Sequence, residues 1–98
     1  MRLTSNEVDA IRTAAREAFG ADAVVRLFGS RVDDSKRGGD IDLHIEAAPV
    51  DDVERSRDRF FDRLFCVIEP QKVDVVVSQR GTVPHGFERI AYRDGIVL

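Results

Sequence analysis

The chain has 98 residues, 43% of them hydrophobic and 34% charged. That length holds one domain, spanning 1–98, and the composition excludes a disordered tail, a collagen-like fibre and a low-complexity linker. Fifteen basic against 18 acidic side chains leave a net charge of −3, which offers no extended surface for a nucleic acid. No run approaches the roughly 18 apolar residues of a membrane span. The opening residues contain no apolar signal core, so export is not expected. Cys66, the single cysteine, can form neither an intrachain disulfide nor a zinc cage, which suits a reducing, cytoplasmic setting.

Thr4-Ser5-Asn6-Glu7 reads as a capping box, with Thr4 as N-cap and Glu7 reaching back. Val8, Ile11, Ala14 or Ala15, Ala18 and Phe19 then recur at helical spacing, and Gly20 stops the helix. Ala23–Phe28 is a short apolar run bounded by Gly29, the pattern of a buried strand. Residues 29–39 have loop chemistry, with glycines, serines and mixed charge. Asp40–Glu46 alternates polar and apolar residues, which predicts a strand with one buried face. Beyond Pro49 a second helix is expected from about Val50 to Cys66, with Asp51 and Asp52 at its positive end. Lys72–Ser78 is β-branched and apolar apart from Asp74, a third strand. A last helix is expected from about Pro84 to Arg93. Ile96-Val97-Leu98 is compatible with a terminal strand. The predicted order is αββαβα: a small α/β (α+β) domain with helices over a short mixed sheet.

Strand alternation places Asp40, Asp42, His44 and Glu46 on one face and Ile41, Leu43 and Ile45 on the other. On the third strand Asp74 shares a face with Val76 and Ser78. If the two strands are neighbours, Asp74 lies beside Asp40 and Asp42. Two like charges about 4 Å apart repel by roughly 4 kcal/mol at an effective dielectric near 20. Either one carboxyl takes a proton or a cation sits among them. Hard oxygen ligands favour Mg²⁺, with Mn²⁺ a possible substitute, and Mg²⁺ commonly shares its shell with substrate phosphates. Just upstream, Gly29-Ser30 follows a strand directly. Glycine lets backbone N–H groups approach an anion, Ser30 adds a hydroxyl, and Arg31, Lys36 and Arg37 add positive charge.

Phe28-Gly29-Ser30, nine residues, and then Asp40-Ile41-Asp42-Leu43 resembles the signature of the DNA polymerase β-type nucleotidyltransferase superfamily. Asp74, in Lys72-Val73-Asp74-Val75, stands where that family has its third carboxylate. The closing segment Phe87–Leu98 also looks like the family's tail. The short length is similar to the minimal (MNT-type) members, which often pair with HEPN-domain proteins as toxin–antitoxin systems. In one respect the chain departs from them: Val32-Asp33-Asp34-Ser35 is short and acidic where many minimal members carry a longer basic stretch. The resemblance implies nucleotidyl transfer, most simply AMP from ATP, to a hydroxyl of a partner protein. It implies Asp40, Asp42 and Asp74 as catalytic residues and ligands of two Mg²⁺ ions, and Gly29, Ser30 and Arg31 as nucleotide-binding residues. It also implies a HEPN-type toxin as partner, within a homo- or hetero-oligomer. The rival expectations are a catalytically silent antitoxin acting by contact and a transferase for a small molecule or an RNA end.

The remaining residues have plainer readings. His44 is expected at the edge of the acidic site. Cys66 is expected to fill the core. Arg89 and Arg93, one turn apart, are expected on a solvated face. Phe60 and Phe61 are adjacent and cannot both point inward, so one of Phe60, Phe61 and Phe65 is a candidate partner contact.

Overall fold

The structure, a computed structural model, describes residues 3–29 and 40–98. Helix α1, Ser5–Phe19, begins at the Thr4 capping box: Thr4 Oγ1 accepts from the Glu7 N–H at 3.1 Å, and Glu7 Oε1 accepts from the Thr4 N–H at 2.9 Å. It ends at Gly20, whose φ of +114° an L side chain rarely adopts. Strand β1, Val24–Phe28, and strand β2, Ile41–Ala47, pair antiparallel, with Phe28 opposite Asp42. Strand β3, Val73–Gln79, lies parallel to β2. A parallel pair cannot be closed by a tight turn, and helix α2, Val53–Leu64, supplies the crossover. Helix α3, Phe87–Asp94, then leads into the two-residue strand β4, Ile96–Val97, which pairs with the free side of β1. Among the described residues the result is a mixed four-stranded sheet in the order β3-β2-β1-β4 with three helices.

The predicted elements are all present, with shifted ends. α2 starts at Val53 rather than Val50 because the Asp52 carboxylate caps it, accepting the Arg55 N–H at 3.1 Å. α3 starts at Phe87 rather than Pro84, after Gly86 with φ +51°. The closing strand adds one element to the expected order.

One face of the sheet carries the core. Leu27, Ile41, Leu43 and Ile45 pack with Ile11 and Phe19 of α1 and with Phe60 and Leu64 of α2. Phe60 is fully buried, which contributes roughly 1.5–3 kcal/mol. Phe61 is half-buried and stacks on Phe65 with centroids 5.9 Å apart, and both pack against the core. The exposed phenylalanine is Phe87 on α3, not Phe60, Phe61 or Phe65. Cys66 is exposed, contrary to expectation, because α2 ends at Leu64 and the following turn carries the thiol outward. Among the described residues no helix is long and apolar enough to cross a membrane.

Candidate active site

The second sheet face carries the polar residues of the alternation. The β2–β3 register makes Asp42 and Asp74 direct partners, and the β1–β2 register sets Phe28 opposite Asp42. Two carboxylates therefore occupy neighbouring strands at one level, beside the end of β1. Gly29 closes that end with φ +78°, and a Cβ there would run into the Asp42 carboxylate, with its Cγ only 3.1 Å away. Conformation and space both demand glycine at this position.

Burial holds the Asp42 carboxyl above the ordinary carboxylate range, and the charges of Asp74 and Asp40 push it the same way; Lys72 opposes them. Asp42 is half-buried and Asp74 is exposed. Asp40 stands one residue before β2, near enough to act on Asp42 electrostatically, but its carboxylate pairs with Lys72 Nζ at 3.3 Å. Lys72 is largely exposed and Asp40 half-buried, so water screens the pair and it holds Asp40 weakly. The structure thus brings Asp42 and Asp74 together and turns Asp40 toward a lysine. Among the described residues no group of three or more His, Cys, Asp or Glu side chains is arranged to hold a metal. Ser30, Arg31, Lys36 and Arg37 lie outside the described residues.

A cleft of about 350 Å³ opens beside the acid pair. Asp42, Asp74 and Gly29 form its polar end, and Phe28, Val76, Phe87 and Ile90 form its apolar walls. A larger open hollow of about 620 Å³ runs along α2 among Arg55, Asp58, Arg59, Asp62 and Arg63. Its alternating charges are those of a solvated helix face and converge on no common point.

His44 is not at the rim of the site. It is fully buried, since α3 covers this part of the face and sets the Tyr92 ring edge-on to the imidazole, centroids 4.6 Å apart. Burial first, and the Arg26 charge second, hold its pKa below the ordinary histidine value, so the ring is neutral near pH 7. Arg26 stacks over Tyr92 at 4.7 Å and donates to Glu46 Oε1 at 2.8 Å. Arg80 donates to the other Glu46 oxygen at 3.0 Å and to Asp22 at 2.9 Å. These partners escaped the sequence because they meet only through strand pairing and the docking of α3. The available signals were the alternation that sets His44 and Glu46 on one face of β2 and the face that Asp74 shares with Val76 and Ser78 on β3.

No protein-family model matches the chain, and no curated protein matches it. The functional reading therefore stands on the site's own chemistry. For a divalent cation the donor type fits: one or two carboxylates completed by phosphate oxygens is an ordinary Mg²⁺ shell, and Asp42 and Asp74 supply the carboxylates. A pair of like charges on adjacent strands, opposed among the described residues by Lys72, also gains from a cation between them.

Proposed function

We propose that this chain is a metal-dependent nucleotidyltransferase of the DNA polymerase β type, transferring AMP from ATP to a hydroxyl of a partner protein. The observation that carries the reading is the direct pairing of Asp42 with Asp74 beside a glycine that admits no side chain. Asp42 and Asp74 would hold Mg²⁺, with Asp40 joining them on release from Lys72. Bound there, Mg²⁺ supplies charge stabilisation for the transferring phosphoryl group and for the attacking and leaving oxygens. Gly29 leaves the end of β1 open to a phosphate, and Ser30 and Arg31, next in the sequence, would supply a hydroxyl and a guanidinium to bind it. Asp74, exposed and opposite Asp42, would accept the proton of the acceptor hydroxyl. That oxygen bonds to the α-phosphorus, the bond to the β-phosphate bridge breaks, and pyrophosphate leaves.

A protein acceptor is supported by the apolar side chains near the cleft. Phe87 is 68% exposed and Ile90 40%, and the net charge of −3 does not favour a nucleic acid. The partner we assign is a HEPN-type toxin, with the chain as its cytoplasmic antitoxin in a hetero-oligomer. One observation favours a second reading: the Asp40–Lys72 pair leaves only two carboxylates converging, as in an antitoxin that acts by contact alone.

Label transfer separates the two. The chain is incubated with Mg²⁺, ATP labelled on the α-phosphate and the protein encoded beside it. The transferase reading predicts label on the partner, abolished by Asp40→Ala with Asp42→Ala. Neutralisation of the partner that survives this double substitution supports the contact reading. Label undiminished by it rejects the proposed site.

A further inference from the structure

α3 is a helix with little of its own to hold it. It has eight residues, its N-cap Gly86 makes no side-chain capping bond, and its buried residue is the small Ala91. Isolated helices this short are marginal in water. What ties it to the sheet is a chain of polar groups. Glu88 Oε1, in the first turn, accepts the hydroxyl proton of Ser78 on β3, and the Ser78 oxygen lies 2.8 Å from His44 Nε2 on β2. Ser78 is 3% exposed and His44 is not exposed at all. A serine hydroxyl has one proton, and here it points to Glu88. His44 Nε2 must then be the donor to Ser78 Oγ, which leaves Nδ1 as the bare lone pair. That agrees with the surroundings, because Nδ1 is buried with no partner among the described residues. One turn further on, Tyr92 packs against the same imidazole.

Glu88 lies between Phe87 and Ile90, the two α3 residues that wall the cleft beside Asp42 and Asp74. We propose that Glu88, Ser78 and His44 are positioning residues: their hydrogen-bonded chain fixes α3 against the sheet and so sets the shape of the cleft. None of the three lines the cleft itself. The anchoring follows from the geometry alone, whereas its effect on ligand binding rests on the function proposed above.

Amide hydrogen exchange on the full chain tests the anchor. In Ser78→Ala and Glu88→Ala the α3 amides should exchange about tenfold or more faster than in the parent, relative to amides of α1 and α2, as expected for losing a hydrogen bond to a charged group. Ser78→Thr, which keeps the hydroxyl, should retain the parent's protection, and Glu88→Gln should fall between the parent and Glu88→Ala. The nitrogen resonances of His44 should report the Nε2–H tautomer in the parent and a mixture in Ser78→Ala. Unchanged relative exchange of α3, or an Nδ1–H tautomer in the parent, would overturn the proposal. If Ser78→Ala fails to fold, the two Glu88 variants carry the same test from a half-buried helix position. The ligand arm is the rise in Tm with Mg²⁺·ATP, expected to be smaller in Glu88→Ala than in the parent. An equal rise removes the claimed effect on the cleft. No rise in the parent refutes the nucleotide reading, and the exchange result still decides the anchor.

Discussion

Asp42 faces a second carboxylate across the β2–β3 ladder, and burial makes its own charge harder to keep. Like charges directly opposite on paired strands are destabilising, and with Asp74 open to solvent the cost is about 0.2–1 kcal/mol rather than the roughly 4 kcal/mol of a close pair at an effective dielectric near 20. Asp42→Asn keeps the shape and removes one of the charges. In the absence of ligand it should raise the unfolding free energy by an amount in that range, read as a higher urea midpoint, and an unchanged or lower midpoint would show that Lys72 already offsets the repulsion. Asp42 and Asp74 were legible as a site because a lone carboxylate in a β-branched strand is costly and because alternation fixes which face it takes. His44 and Cys66 were not legible in the same way. The burial of His44 is set by a helix about 45 residues downstream, and the exposure of Cys66 by where α2 stops. Neither cause is local to the residue.

Among the elements, β2 contributes to three networks of the polar face: the acid pair at one end, His44 with Ser78 and Glu88 in the middle, and the Arg26–Glu46–Arg80 cluster at the other. Glu46 takes hydrogen bonds from Arg26 and Arg80, which hold its carboxyl below the ordinary value near 4.5. A carboxylate whose pKa is depressed on folding stabilises the fold at pH above its unfolded value. That contribution is lost as pH falls through the folded value. Urea midpoints measured from pH 7 down to pH 3 should therefore fall on acidification, and Glu46→Gln should start lower at pH 7 and fall less steeply. Parallel curves would show that other carboxylates govern the acid limb. The elements themselves were readable from capping chemistry and alternation, as the Thr4 box and the β2 pattern show. Their ends were not, since Asp52 competes with Val50–Asp51 for the start of α2 and only the folded capping bond decides.

For the whole molecule, the sheet order is what gives the acids their meaning. Asp42 and Asp74 are 32 residues apart, and only the parallel β2–β3 pairing, bridged by α2, makes them opposite neighbours. The sequence pattern raised that adjacency as a condition and could not choose the strand order. The central claim is that this juxtaposition binds a nucleotide with Mg²⁺. Thermal unfolding with and without Mg²⁺·ATP tests it most directly, because a ligand that binds only the folded chain stabilises it by mass action. At ten times Kd the gain is about 1.4 kcal/mol, which for a domain of this size is roughly 6–11 °C in Tm. The account predicts such a rise for the parent chain and none for Asp42→Asn, even though that variant starts from the higher stability. A parent Tm that does not move at saturating Mg²⁺·ATP, or an equal rise in Asp42→Asn, would contradict it.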